Sequence, residues 1–188
     1  MTRKVVYGYN VSLDGYIEDR DGTIDWTEPG PELHRWFNES ERDTDLQMYG
    51  RRLWETMKVW ADMLGDESLP PEMQEYAELW NQTPTLVFSR TMSEAPAGVQ
   101  LRREVDADEI RRMKAEPGGD ISIGGAEIAA EFLRLGLVDE VMVAIHPVIL
   151  GGGAKRMIPE LADATQLTLV ESLVLDGRYV AMRYRVEG

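Results

Sequence analysis

Four short stretches of this chain place glycine, arginine or serine where an apolar run ends. The first is Gly124-Gly125, which closes the run Ile121-Ser-Ile123 and opens the helically spaced stretch Ala126 to Leu135. A strand ending in paired glycines lets a ligand approach the backbone without meeting a Cβ. The unpaired N–H groups and positive dipole end of the following helix then face the same spot, which suits a phosphate. A tight turn with no ligand uses the same residues, and the run is not the G-x-G-x-x-G dinucleotide fingerprint. The second stretch is Gly50-Arg51-Arg52, between a short apolar run and another helical pattern. Arginine engages phosphate oxygens bidentately, whereas a solvated basic pair at a helix start opposes the helix dipole. The third, Ser89-Arg90-Thr91, follows the apolar run Pro84 to Ser89; in parallel α/β sheets, ligands bind outside the carboxyl ends of strands. The fourth is Leu150-Gly151-Gly152-Gly153, with Lys155 and Arg156 just beyond. It reads as a loop that moves or that receives a ligand closely.

These stretches need a frame. Ile121–Ile123 is too short for a helix, and Ile128, Phe132 and Leu135 recur at i, i+4 and i+7, the spacing of one helix face. Gly136 stands where a left-handed C-cap belongs, and Val138 to Ile145 is a β-branched apolar run. Strand, helix, strand is a βαβ crossover, which implies parallel strands. Val5 to Leu13, Asp45 to Tyr49 and Pro84 to Ser89 supply further strands, with Val99 to Val105 as an edge. Helices are expected over Glu32 to Glu41, Leu53 to Met63 and Asp106 to Lys114, the last capped by Asp106. In the second of these, Leu53, Met57, Trp60 and Leu64 are spaced for burial. Leu64 to Gln82 reads as an amphipathic insertion. Asp19 to Pro31 is a long polar loop, functional or mobile, whose Trp26 either anchors it on the core or covers a ligand. Gln166–Leu175 and Arg178–Val186 form a hairpin about Asp176-Gly177.

At 188 residues the chain suits one domain, residues 1–188. Its 43% hydrophobic and 29% charged content is that of a globular protein. The net charge of −14 argues against nucleic acid, and it leaves any phosphorylated ligand to local arginines and backbone donors. The absence of cysteine excludes disulfides, thiol nucleophiles and cysteine-ligated zinc, and with two histidines no metal site is expected. No apolar run reaches the ~20 residues that cross a bilayer, and no signal peptide is visible, so a cytoplasmic location is expected.

In combined order, these residues resemble the dihydrofolate reductase superfamily. More narrowly, they are similar to the reductase domain of the bifunctional riboflavin-biosynthesis deaminase–reductase. The resemblance rests on Ser12-Leu-Asp-Gly15, Gly50-Arg51 before Trp54, Ser89-Arg90, Gly124-Gly125-Ala-Glu127, Leu137-Val-Asp-Glu140 and Pro147-Val-Ile-Leu-Gly151. It implies a three-layer α/β/α fold, with a mostly parallel central sheet and a C-terminal antiparallel hairpin. It also implies an NADPH-dependent oxidoreductase. Gly50, Arg51 and Arg52 would hold cofactor phosphates, Ser89 and Arg90 the adenosine 2′-phosphate, and Gly124, Gly125, Ala126, Glu127 and Ile128 the pyrophosphate. Asn10 and Ile17 would line the nicotinamide site; Asp14, Leu150, Gly151 and Gly152 would lie toward the substrate, with Asp14 as the candidate proton donor. The substrate implied is a small heterocycle such as 5-amino-6-(5-phosphoribosylamino)uracil, and the assembly a homodimer. Folate reductases carry a carboxylate in the first helix, where this chain offers Glu32 just after Pro31, and no zinc deaminase domain is present. A dihydrofolate reductase and a non-catalytic nucleotide-binding protein on the same fold are the rival readings.

Overall fold

The computed structural model describes residues 3–187. Its centre is an eight-stranded sheet in the order β5-β4-β3-β6-β1-β7-β10-β9. These strands are β1 (Val5–Ser12), β3 (Thr44–Gly50), β4 (Thr85–Phe88), β5 (Val99–Arg102), β6 (Asp120–Gly124), β7 (Glu140–His146), β9 (Leu167–Leu175) and β10 (Tyr179–Val186). The first six run parallel, and β10 turns back antiparallel to β7. A small second sheet pairs β2 (Tyr16–Glu18) with β8 (Lys155–Arg156). The helices are α1 (Pro31–Arg42), α2 (Arg51–Met57), α3 (Val59–Asp62), α4 (Pro71–Gln82), α5 (Ala107–Ala115) and α6 (Ala126–Arg134).

The strands are buried on two faces because successive side chains alternate. Val5 and Tyr7 join Met48, Ile121 and Ile123 under Ile110 of α5 and Ala129 and Phe132 of α6. Val6, one residue out of phase, joins Met142, Ala144 and Tyr179 against Leu33 and Trp36 of α1. The result is a mixed α/β fold, with helices on both faces of a mostly parallel sheet and an antiparallel edge.

Local signals act as their chemistry requires. The Asp106 carboxylate accepts the N–H groups of Asp108 and Glu109 at 2.9 and 3.1 Å, capping α5. Gly136, at φ +63°, ends α6, and the Leu137 N–H returns to Phe132 O at 2.9 Å. The final hairpin turns on Asp176 (φ 50°) and Gly177 (φ 65°).

Two expectations are modified. The helix expected over Leu53–Met63 breaks at Lys58 into α2 and α3, and neither piece buries a residue. Leu53, Met57 and Trp60 face a cleft rather than the core, and Leu64 is 52% exposed. The Leu64–Gln82 segment supplies α4, which packs on α1. There the fully buried Asn38 donates to Glu72 O and Glu75 Oε2, both at 2.8 Å. At the far edge β9 stays open, with Leu169 53% and Val174 70% exposed. No helix among the described residues is long and apolar enough to cross a membrane. No cluster of three metal-ligating side chains occurs among them either.

Candidate active site

Three of the four glycine, arginine and serine stretches meet at one edge of the sheet. Gly50 pairs with Phe88, the residue before Ser89, and Tyr49 pairs with Gly124. Gly50, Ser89 and Gly124 therefore end neighbouring parallel strands at a common level. Gly125 has φ +106°, and a Cβ built there would lie 3.4 Å from Gly50 N. The two glycine turns thus abut in van der Waals contact, and the positive φ of Gly125 disfavours any side chain there. Gly125 is also the N-cap of α6 and supplies no side-chain acceptor, so the first-turn N–H groups face this edge without a local cap. The arginines differ in their freedom. Arg51 donates to Glu55 Oε1 at 2.8 Å and to Thr91 Oγ1 at 3.0 Å, tying α2 to the loop after β4. Arg52 and Arg90 are exposed and make no ion pair among the described residues. Backbone donors, a glycine cradle and two uncommitted guanidinium groups form a donor set that fits the phosphates of a dinucleotide. Ala126 and Ile128 pack inward behind this cradle, while Glu127 is exposed.

Beside this edge lies a cleft of about 280 Å³. Its floor is β1 at Gly8, Tyr9 and Asn10, and β6 at Ser122 to Gly124. One wall is α1, through His34, Phe37, Ser40 and Glu41; the opposite wall is Leu53, Met57 and Trp60. Tyr49 and Tyr76 close the inner end, and Ile24, Thr27 and Pro29 bring the long polar loop to the mouth. The aromatic rings meet edge to face, with centroids 4.6 Å apart for Trp60 and Tyr76 and 5.7 Å for His34 and Tyr76. Gly124 joins the cleft to the strand-end edge: it lines the first and precedes Gly125 in the second.

Among the described residues, Glu41 is the one acidic side chain in the lining. It keeps part of its surface open to the cleft, but protein surrounds it on most sides, and burial pushes its carboxyl up to about 7. The phenols of Tyr49 and Tyr76 are pushed up by burial, and the charge of Glu41 adds to both. His34 is held below its usual value by burial, against the pull of its contact with Asn38 Oδ1 at 3.2 Å. Deeper in, burial pushes His146 down to about 4, helped by the charge of Arg178. Its neutral ring meets Asn10 Oδ1 at 3.0 Å through Nε2. Trp26 packs edge to face on His146, with centroids 5.5 Å apart, so it anchors the loop from which the cleft mouth is built.

The structure separates several expected residues from this cleft. The Asp14 carboxylate accepts the Ser12 hydroxyl at 2.8 Å and the N–H groups of Leu150 and Gly151 at 3.1 and 2.9 Å. Burial acts to raise its pKa, but these hydrogen bonds prevail and hold it below the usual carboxylate range. Asp14 therefore ties the glycine loop to the end of β1, and Leu150, Gly151 and Gly152 lie with it outside the lining. Ile17 is a core residue, 2% exposed. Ser89 is buried, and its hydroxyl accepts the N–H groups of Thr91 and Met92 within its own turn. Asn10 does line the cleft.

Glu41 is the residue that the sequence reading misses. The signal is its spacing: His34, Phe37 and Glu41 recur at i, i+3 and i+7, so an acid continues the apolar stripe of α1.

The geometry agrees with known proteins. Over 187 residues the chain is 29% identical to YyaP of Bacillus subtilis (strain 168), covering 99% of this chain and 96% of that protein. A crystal structure from Shewanella sp. PV-4, of a protein assigned by name to riboflavin biosynthesis, superposes with a TM-score of 0.78 and 25% identity over all of both chains. The dihydrofolate reductase of Enterococcus faecalis, solved with NADP(H), superposes with a TM-score of 0.67 at 17% identity, again over both whole chains, and so shares the fold. Residues 3–181 match the family model of the RibD C-terminal domain. With that match spanning nearly the whole chain, the protein belongs to the RibD C-terminal domain family.

Proposed function

We propose that this protein is an NADPH-dependent reductase that passes hydride to a small heterocyclic substrate held in the cleft, within the chemistry of riboflavin biosynthesis. The observation that carries the reading is the junction at Gly124, where a strand edge rich in backbone and guanidinium donors runs directly into an aromatic-walled cleft. Family membership supports the reductase assignment, and the NADP(H) held by the Enterococcus dihydrofolate reductase supports the cofactor.

In this reading NADPH supplies the hydride when bound. Gly124, Gly125 and the first turn of α6, at Ala126, Glu127 and Ile128, receive the pyrophosphate. Gly50, Arg51 and Arg52 hold phosphate from the adjoining strand end, and Ser89 orders the turn that presents Arg90 to the 2′-phosphate. Asn10 borders the nicotinamide end; Ile17 acts from the core by shaping β2. The substrate lies against α1 and the aromatic wall, and Asp14 acts as a positioning residue for the Leu150–Gly152 loop.

Glu41 is then the proton donor. A carboxyl near 7 is still substantially protonated at neutral pH, the condition for a general acid. With hydride supplied to the electrophilic carbon of a C=N or C=O bond, the π pair would move to the heteroatom, and Glu41 would deliver the proton that neutralises it. Bound NADPH would be the two-electron reductant for this step, and water would restore the Glu41 proton. The open β9 edge supports a homodimer.

The deciding experiment is a titration of the purified protein with NADPH and NADH, followed by single-turnover reduction of an aminouracil substrate. Saturable NADPH binding with hydride transfer is expected. A protein indifferent to both nucleotides would remove the reading.

A further inference from the structure

Asn38, on α1, is fully buried, and its partners fix which way its amide faces. Its Nδ2 donates to Glu72 O and to Glu75 Oε2 of α4, both at 2.8 Å. A carbonyl and a carboxylate only accept hydrogen bonds, so both amide hydrogens are spent on α4 and the amide oxygen faces the other way. Glu75 is ionised there: the Asn38 amide, with Arg42 on its other oxygen, holds its carboxyl below the usual range against the effect of burial. Asn38 Oδ1 then meets His34 Nδ1 at 3.2 Å. An amide oxygen has no hydrogen to give, so the hydrogen in that contact belongs to His34 Nδ1.

The other ring nitrogen therefore carries the lone pair. Burial holds His34 below its usual value against the pull of Asn38, Glu72 and Glu75, so the ring is neutral at neutral pH. A neutral imidazole with Nδ1 protonated presents Nε2 as a hydrogen-bond acceptor. Among the described residues, Nε2 has no hydrogen-bond partner, and Trp26 Nε1 is the one buried side-chain polar atom left unpaired, so Nε2 is open rather than sealed. The space that the ring borders is the cleft, where Trp60 and Tyr76 hold it edge to face with centroids 6.1 and 5.7 Å away. Glu41 stands two turns further along α1, on the order of 10 Å. The helix thus shows the cleft an acceptor at one end and, at the other, a carboxyl that burial raises to about 7.

We infer that His34 orients the substrate: its Nε2 accepts a hydrogen bond from a ring or exocyclic N–H of the heterocycle, and Asn38 is the positioning residue that keeps the imidazole in the Nδ1–H form. The inference rests on the reading of the cleft as the substrate site. It gives the bound ring a direction, with the N–H edge toward the start of α1 and the reducible bond toward Glu41. It also defines a specificity, because a heterocycle that offers only lone pairs at that edge meets the lone pair of Nε2 and is disfavoured.

The test is nitrogen NMR of the isotope-labelled full protein. The chain has two histidines, and His34→Phe, which keeps a ring in the wall, identifies the His34 signals. At neutral pH, His34 should show a protonated Nδ1 and an unprotonated Nε2; the opposite tautomer overturns the inference. The compound 5-amino-6-(5-phosphoribosylamino)uracil is then added with and without NADP+. The Nε2 resonance should move as its lone pair accepts a hydrogen bond, and His34→Phe should bind the compound about tenfold more weakly. Asn38→Leu should mix the two tautomers and weaken binding in step, and a folded Asn38→Leu protein with the wild-type tautomer overturns the role of Asn38. If that variant does not fold, the wild-type spectrum and His34→Phe still decide. A silent Nε2, equal affinity in folded His34→Phe, or no binding up to millimolar concentration overturns the inference. NADPH is titrated in parallel. If it fails to bind while the compound still moves Nε2, the cofactor assignment falls and the inference stands. If the compound oxidises NADPH while Nε2 stays silent, the reductase reading stands and the inference falls.

Discussion

The carboxylate of Asp176 accepts the backbone N–H of Leu33 at 3.0 Å, although the two residues are 143 positions apart. The N–H of Glu32 reaches the same carboxylate, and the Glu32 side chain accepts the N–H of Asp176 in return. The N-cap position of α1, Gly30, carries no side chain, and a Cβ there would come 2.4 Å from Asp176 Cγ. The turn of the C-terminal hairpin therefore caps the helix that carries Phe37 and Glu41.

Removing that cap should weaken the fold. Asp176→Ala is expected to lower stability by about 1–2 kcal/mol, because it deletes the acceptor and leaves a β-carbon at positive φ. Asp176→Gly deletes the same acceptor but relieves the backbone, and should lose less. Urea titration of both variants reads the two contributions separately; wild-type midpoints in both would show that the cap contributes nothing.

If the proposed cofactor site is right, the exposed arginines should set the nucleotide preference. Each charge-assisted hydrogen bond to the extra phosphate contributes roughly 1.5–3 kcal/mol, so NADPH should bind about tenfold or more tightly than NADH. Arg90→Ala should erase most of this preference while leaving NADH affinity nearly unchanged. Fluorescence titration of both nucleotides decides it, and equal affinities in the wild type would discard the arginine assignment.

At the glycine junction, the backbone angle disfavours a side chain and the neighbouring turn leaves it little space. Gly125 adopts φ +106°, and its Cβ would meet Gly50 N at 3.4 Å. Gly125→Val should abolish NADPH binding, and circular dichroism must first establish the folded fraction. A folded variant that binds NADPH normally would reduce the junction to a structural turn.

Glu41 should give the pH dependence its shape. Its folded pKa of about 7 lies above the ordinary value of 4.5, so the folded state holds a proton that the unfolded chain releases. The carboxyl therefore costs no stability below pH 4.5, and the cost grows as pH rises from 4.5 to 7, reaching on the order of 2–3 kcal/mol. Glu41→Gln should be more stable than wild type at pH 8 and equal to it near pH 4. The contribution of His146, which titrates in the overlapping range, cancels in that difference. Activity should fall in the wild type above pH 7, and the variant should lose about 10²-fold in turnover at neutral pH. A wild-type rate constant flat from pH 5 to 9 would remove Glu41 as donor.

The open edge predicts assembly. Leu169 and Val174 of β9 are more than half exposed, and an exposed apolar edge strand invites pairing. Sedimentation should show twice the 21.3 kDa of one chain at micromolar concentration, and Leu169→Glu with Val174→Glu should return the protein to the monomer. A wild-type monomer across that range would refute the homodimer.

The crossover from Asp120 to His146 is readable from the sequence because each of its signals is local: glycines at the turns, helical spacing at Ile128 and Phe132, and a β-branched run after Gly136. The Asp106 cap is readable for the same reason. Elsewhere, periodicity leaves an ambiguity. Leu53, Met57 and Trp60 have the spacing of a buried face, but spacing does not distinguish a core from the wall of a cleft. Asp14 is a carboxylate beside a glycine turn in sequence, and only the fold brings Leu150 and Gly151 to it from 136 and 137 residues away. Short-range patterns carry no record of such partners. Glu41 lies between these cases: its position on the apolar stripe of α1 is written in the sequence, whereas the cleft that makes it matter depends on how α1, α2 and α4 meet.

The two short helices α2 and α3 bury no residue, and a segment held by so little packing opens more cheaply than the sheet beside it. Amide hydrogens there should exchange faster than those of α6, whose Ala129 and Phe132 sit in the core. The same segment presents Arg51 at the strand-end edge and Leu53, Met57 and Trp60 to the cleft. A ligand bound at either place quiets one shared element, so the second ligand meets a chain whose conformational entropy has already been surrendered. In the proposed reading, cofactor and substrate would thereby be coupled through the looseness of the helices that join them, each tightening the hold on the other without any change in the shape of the sheet.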